Sequence, residues 1–352
     1  MIKRRIGTSS GIWLRDHCQC ASCRHPITKQ RMLNTSQLTW PDGHESIYTL
    51  DWLDQYLRPE KYNTQVKDLA DQKDNRIFWD ATCMERLRPT VPYDEVMGSE
   101  LGVYQWLRNV SIYGLGIVNG VPATAEATEK LLERISFIRR THYGKFWVVH
   151  ADLAHGDTAY TRVGLPLHTD TTYFTDPVGL QLFHILRHEG TGGESTFLDG
   201  FRAADLLRNR SPEAWETLTT IPIPSAAQGD TEVDVRPSLL AHPILNLHPR
   251  TKELHQIRYN NDDRIPMPHT SLSDTLQFYW ALREWRKVLD EEGAVWKLCS
   301  PPGTAIIFDN WRVLHGREAF TGDRTLSGGY IGGDDWKSRF RVLERQFGKG
   351  RS

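Results

Sequence analysis

The sequence has no excess of charge of either sign: 43 Lys and Arg stand against 44 Asp and Glu, a net charge of -1. Without a basic surplus there is no broad electrostatic footprint for nucleic acid or an acidic membrane, and only a local patch stays open. The chain also lacks an apolar run of the roughly 18 residues that a membrane helix needs, so no membrane partner is expected. Cysteine is scarce, with five in 352 residues. Cys18, Cys20 and Cys23 share one short loop, while Cys83 and Cys299 stand alone. An odd, clustered set is not a secreted disulfide framework and suits a metal site better. The first ten residues carry Lys3, Arg4 and Arg5 but no apolar signal core. That reads as a cytoplasmic chain, with the basic start leaving the mitochondrial matrix open.

The elements that are present are mixed. Residues 12–14, 38–40 and 46–50 read as short strands, and residues 51–57 (DWLDQYL) as a helix start. The Pro-containing stretch 88–93 (RPTVPY) predicts a linker between a small N-terminal domain, 1–88, and a larger one, 95–352. Helical spacing covers 100–110, 124–140, 203–207 and 276–289. Strand patterns cover 115–119, 178–186, 195–198, 254–259 and 305–308. Many strands with Gly-rich turns and unevenly placed helices indicate an α+β class with an antiparallel sheet sandwich.

His168 and Asp170 lie in LPLHTDTTYF. Residues two apart on an extended segment share a face, so both could reach one metal. His315, in FDNWRVLHGR, could complete a set of two imidazoles and a carboxylate. Such a set leaves adjacent positions open for substrate and oxygen, as non-haem iron(II) oxygenases require. The spacing by itself is weak, because a second His-x-Asp, His155 and Asp157, occurs upstream among 14 histidines. Arg324 follows His315 by nine positions on what reads as the next strand. It could clamp a carboxylate in a shared cavity or form a surface ion pair.

In order along the chain, WLRDHCQCASC, TWPDGH, YGKFW, GDTAY, HTD, HEGTGG, IRYNN, DNWRVLHGRE and Arg324 resemble one family. It is the butyrobetaine hydroxylase and trimethyllysine dioxygenase family of Fe(II)/2-oxoglutarate oxygenases, and the resemblance runs from about residue 13 to about residue 335. It implies a double-stranded β-helix (jelly-roll) catalytic domain. It also implies iron(II) on His168, Asp170 and His315, with 2-oxoglutarate held by Arg324 and contacted by Ser195. L-Ascorbate as reductant and a homodimer are further expectations of the resemblance.

A zinc ion bound by Cys18, Cys20 and Cys23 needs a fourth ligand to close a tetrahedral structural site. His44 is the candidate, since His17 and His25 would strain so short a loop, and three reduced cysteines without metal are the alternative. The resemblance supports structural zinc on Cys18, Cys20, Cys23 and His44. Tyr143, Trp147, Tyr160 and Tyr330 are core aromatics on sequence alone; the resemblance makes them a cage for a trimethylammonium group. Butyrobetaine hydroxylases have Asn where this chain has Asp157. A carboxylate there repels the carboxylate of butyrobetaine and attracts an α-ammonium group, which trimethyllysine carries. Asn260 and Asn261 are candidates for the substrate carboxylate, or simply a turn. The reading that follows is hydroxylation of N6,N6,N6-trimethyl-L-lysine at C3, the opening step of carnitine biosynthesis. The rivals are butyrobetaine hydroxylation and a zinc-stapled binding module without catalysis.

Overall fold

A computed structural model describes residues 11–32, 44–57, 75–150, 161–228, 232–239, 241–267 and 271–348. The chain divides into two compact units, Met1–Arg76 and Ile77–Ser352. The division falls before the expected linker. Residues of the 88–93 stretch form strand β1 (Thr90–Pro92), which pairs in parallel with β2 (Leu115–Asn119). Val91 is buried in the core, so this stretch belongs to the larger unit.

In the first unit, residues 12–14 are not a strand but part of helix α1 (Gly11–Asp16). His17 N–H closes a helical turn on the Trp13 carbonyl, an outcome that a three-residue apolar run cannot reveal. The expected strand over 46–50 is also absent: 44–49 has no regular structure, and Leu50 opens α2 (Leu50–Leu57). The strand expected over 38–40 lies outside the described residues.

The second unit contains two principal sheets. One has six strands in the order β1, β2, β12 (Thr304–Asp309), β5 (Leu180–Glu189), β14 (Asp323–Ile331) and β3 (Trp147–Val149). The other has four, in the order β11 (Trp296–Leu298), β6 (Ser195–Asp199), β13 (Val313–Arg317) and β4 (Leu165–His168). All pairings in these sheets are antiparallel except β1 with β2. Two small hairpins complete the strands, β7 (Ile223–Pro224) with β8 (Ala241–His242), and β9 (Leu245–Leu247) with β10 (Leu254–Ile257).

The period-two pattern explains the stacking. On β12, Ile306 and Phe308 enter a cluster with Phe197, Trp296 and Val313 of the opposite sheet, so the inner faces pack as a jelly roll. Their neighbours Ala305 and Ile307 point the other way, with Leu180, Leu182 and Ile331, under three helices. These helices are α5 (Glu100–Tyr113), α6 (Ala125–Glu133) and α10 (Gly333–Phe347), numbered after α3 (Ala81–Leu87) and α4 (Tyr93–Gly98). Leu198 and Leu314 on the outside of the four-stranded sheet pack against α7 (Gly200–Arg210), α8 (Pro212–Thr220) and α9 (Leu272–Leu289).

The helix expected over 124–140 starts on a Thr124 cap but ends at Glu133. Ile135 and Ile138 are still buried, yet Arg139 N–H goes to the Tyr330 carbonyl at 2.8 Å. The chain leaves the helix to follow β14. Among the described residues no helix is long and apolar enough to cross a membrane.

One buried ion pair locks the seam between β6 and β13. Arg312 donates from Nε to Asp199 Oδ1 at 3.1 Å and from Nη2 to Oδ2 at 2.8 Å. It also donates to the carbonyls of Ile112 and Ile77, at 2.8 and 2.7 Å. Asp199 in turn accepts from the first backbone N–H groups of α7 and from Trp79 N–H. Breaking one side of such a pair leaves a buried charge uncompensated. Arg312→Met is therefore expected to lower the unfolding free energy by about 3–5 kcal/mol, read from urea unfolding followed by tryptophan fluorescence. A loss within ~0.5 kcal/mol would contradict this role, because that is the range of ordinary surface changes.

Candidate active site

His168 is the last residue of β4, and its Cα partner across the antiparallel pair is His315 on β13. Directly opposed residues on one face bring their side chains together. The two imidazole rings lie 4.3 Å apart between centroids. Asp170 is beyond the end of the strand, so the pleat alone does not aim it. Asn310 does: its Oδ1 accepts from Asp170 N–H at 2.7 Å, and its Nδ2 donates to the Asp170 carbonyl at 3.0 Å. Thr169 between the ligands faces away and exchanges hydrogen bonds with the Tyr259 backbone.

Asp170 Oδ1 then lies 3.1 Å from His168 Nε2 and 3.5 Å from His315 Nε2. These three ligand atoms all lie within 4.8 Å of one another, close enough to hold one metal ion. His168 Nδ1 lies 2.8 Å from the Pro166 carbonyl and donates to it, which leaves Nε2, once its proton is displaced, as the nitrogen for a metal. Burial favours the neutral acid at Asp170, but hydrogen bonds from both histidines outweigh it and hold the carboxyl well below its usual range. Burial likewise opposes a charge on His168, yet Asp170 raises it to about 9. Burial and the neighbouring His168 charge push His315 down to about 4. The donor set of two imidazoles and one ionised carboxylate suits a non-haem iron(II) site.

The triad opens on a cavity of about 470 Å³, the size of a small-molecule site. Arg324, on β14, also lines it. Only 7% exposed, Arg324 has a buried Nε without a hydrogen-bond partner and makes no salt bridge among the described residues. Burial first, then the Arg317 charge, bring its guanidinium down to about 10. A buried cation facing a cavity without a counter-ion is the complement of an anionic ligand. The Thr191–Gly193 turn makes room for it. At Gly193, with φ +74°, a Cβ would sit 3.3 Å from Arg324 Cδ and 3.4 Å from its Nε.

The family model described as taurine catabolism dioxygenase TauD, TfdA family matches residues 82–330. The chain belongs to that family. It is 39% identical over 355 residues to "Trimethyllysine dioxygenase, mitochondrial" of Bos taurus, covering 95% of this chain and 82% of that one. It is 36% identical over 358 residues to "Trimethyllysine dioxygenase" of Meyerozyma guilliermondii, covering 94% and 89%. To "Gamma-butyrobetaine dioxygenase" of Pseudomonas sp. strain AK-1 it is 31% identical over 365 residues, covering 97% and 92%.

In this TauD, TfdA-family dioxygenase, Ser195, Tyr143, Trp147, Asn260 and Tyr330 all line the triad's cavity. Trp147 and Tyr330 meet edge to face with ring centroids 5.9 Å apart. Asn261 is not among the lining residues; it is exposed and accepts from Arg264 at 2.6 Å. Asn260 reaches the cavity but also closes a turn through Asp262 N–H at 3.0 Å. His155, Asp157 and Tyr160 lie outside the described residues.

The first unit holds the other cluster. His44 Nε2 is 3.3 Å from Cys18 Sγ and 3.6 Å from both Cys20 Sγ and Cys23 Sγ. Tetrahedral zinc with its usual bond lengths separates sulfur and nitrogen ligands by about 3.5 Å, so the four residues fit that ion. Arg15 Nη1 donates to Cys23 Sγ at 3.2 Å and offsets thiolate charge. His17 Nδ1 lies against the Trp13 carbonyl, and His25 Nδ1 accepts from Thr28 N–H. Neither is turned toward the cluster.

The residues reasoning from sequence missed are Asn310, Arg317 and Gln181. Asn310 stands inside the quoted FDNWRVLHGR motif, and Gln181 interrupts an apolar strand, its buried Oε1 without a hydrogen-bond partner. Arg317 lines the cavity and donates to the carbonyls of Thr161 and Val163 at 2.7 and 2.9 Å. Removing the Asn310 amide strips Asp170 of its backbone clamp. Asn310→Ala is expected to cost about 1–3 kcal/mol of stability, measured by calorimetry; an unchanged transition would contradict the clamp.

Proposed function

We propose that this dioxygenase hydroxylates N6,N6,N6-trimethyl-L-lysine at C3 with oxygen and 2-oxoglutarate, releasing succinate and carbon dioxide. In this reading His168, Asp170 and His315 hold iron(II), which supplies the oxidising chemistry when bound. The observation that carries the proposal is the Arg324 guanidinium, without a carboxylate partner among the described residues, lining the same cavity as the triad. A dicarboxylic co-substrate supplies the missing anion, held by parallel charge-assisted hydrogen bonds. Ser195 lines the same cavity and is assigned to the co-substrate.

The substrate assignment draws on the aromatic wall. A quaternary ammonium donates no hydrogen bond, so rings recognise it, by roughly 0.5–2 kcal/mol each. Tyr143, Trp147 and Tyr330 line the cavity, and Tyr160 joins them on the strength of the family resemblance. At the other end of the substrate, Asp157 attracts the α-ammonium and Asn260 takes the carboxylate. Holding both ends restricts which carbon meets the oxidant, so orientation rather than acid–base work is what these side chains contribute. The relatives named for trimethyllysine, at 36–39% identity over 94–95% of the chain, support this substrate over butyrobetaine.

Zinc on Cys18, Cys20, Cys23 and His44 serves as a structural staple, since four protein ligands leave no open position. Ascorbate as reductant and a homodimer carry over from the family resemblance. The compartment is proposed as cytoplasm or mitochondrial matrix, the latter because the Bos taurus relative is named mitochondrial.

The direct test is mass spectrometry of products after incubation with iron(II), 2-oxoglutarate and either trimethyllysine or butyrobetaine. Trimethyllysine is expected to gain one oxygen atom in preference, and His168→Ala to abolish turnover. A preference for butyrobetaine would overturn the substrate assignment. Undiminished turnover by His168→Ala would overturn the iron site.

A further inference from the structure

The two oxygens of Asp170 have different surroundings. Oδ1 faces both imidazoles, 3.1 Å from His168 Nε2 and 3.5 Å from His315 Nε2. Oδ2 accepts a hydrogen bond from the Tyr330 hydroxyl at 2.8 Å. A carboxylate free at both oxygens can rotate, and can take a metal through two oxygens at once. Doing so would fill one of the positions that a site of two histidines and one carboxylate keeps open. A donor on Oδ2 stops the rotation and leaves Oδ1 to face the histidines.

Tyr330 is well held for that task. It is 5% exposed and sits on β14 opposite Gln181 of β5, inside a nine-residue strand. The Trp147 ring abuts it edge to face at 61°. Its own ring lines the cavity, so one side chain touches both the space for substrate and the carboxylate of the triad.

We propose that Tyr330 is a positioning residue of the metal site as well as a wall of the substrate cavity, its hydroxyl holding Asp170 in the orientation that offers a single oxygen. The inference rests on the assignment of His168, Asp170 and His315 as metal ligands. Phenylalanine at 330 keeps the ring and removes only the donor, which separates the two roles.

The experiment is Mn(II) binding, followed by the resonance signal of the free ion, to wild type, Tyr330→Phe, Tyr104→Phe and His168→Ala. Thermal unfolding of each protein is recorded beside it. Tyr330→Phe is expected to weaken Mn(II) binding by about tenfold or more, the range seen when a metal ligand's hydrogen-bond partner is removed. Tyr104→Phe, which deletes a buried hydroxyl outside the cavity, is expected to bind as wild type does. A folded Tyr330→Phe protein within about twofold of wild type, while His168→Ala abolishes binding, overturns this inference and leaves the triad standing. Equal binding by wild type and His168→Ala sinks the triad reading, and this inference with it. Should Tyr330→Phe fold poorly, 4-fluorophenylalanine at position 330 restores the ring's length without a donor, and the same two outcomes decide.

Discussion

The bidentate pair between Arg312 and Asp199 is the contact on which the larger unit turns. It joins β6 to β13, caps α7, and ties in the backbone at Ile77, Trp79 and Ile112, with both charged side chains out of solvent. Three residues along from Arg312 comes His315, whose register against His168 follows from how β13 sits in its sheet. A slip by one residue would turn His315 to the outer face, where Leu314 now packs with the helices. The ion pair therefore does structural work whose consequence is read at the His168, Asp170 and His315 triad.

Asp170 shows how much fixing one ligand takes. Its backbone is clamped by Asn310, its outer oxygen is held by Tyr330, and its inner oxygen is shared between two histidines. Arg258 secures the following loop by donating to the carbonyls of Thr172 and Phe174. The cavity beyond is lined by the ionised Asp170 carboxylate, the buried guanidinium groups of Arg317 and Arg324, and the rings of Tyr143, Trp147, Tyr173, Phe183 and Tyr330. In the proposed reading, those features divide the space between an anion, a cation without hydrogen-bond donors, and the metal that both must approach.

Much of this was legible in the sequence, for definable reasons. The alternation at 305–308 and 195–198 predicted strands because each has one face on the core and one under helices. The ordered motifs pointed to His168, Asp170, His315 and Arg324, which line one cavity, and to Cys18, Cys20, Cys23 and His44, which converge. What could not be read were features set by partners distant in the chain. The strand at Thr90–Pro92 exists because β2 is there to pair with it, and Pro residues in the segment made it look like a linker. Helix α6 stops at Glu133 because β14 recruits Arg139. The assumption that His168 and Asp170 share a strand face was also incomplete, since the strand ends between them and Asn310 supplies the aim.

The central claim is that one cavity holds iron(II) at the triad and 2-oxoglutarate at Arg324. Anaerobic titration of the protein with iron(II) and 2-oxoglutarate tests it most directly, through the visible metal-to-ligand absorption band of the combined complex. The account predicts the band in wild type, its loss in Asp170→Ala, and in Arg324→Ala a demand for at least about tenfold more 2-oxoglutarate, equivalent to ~1.4 kcal/mol. No band in wild type, or a band indifferent to both substitutions, would contradict it.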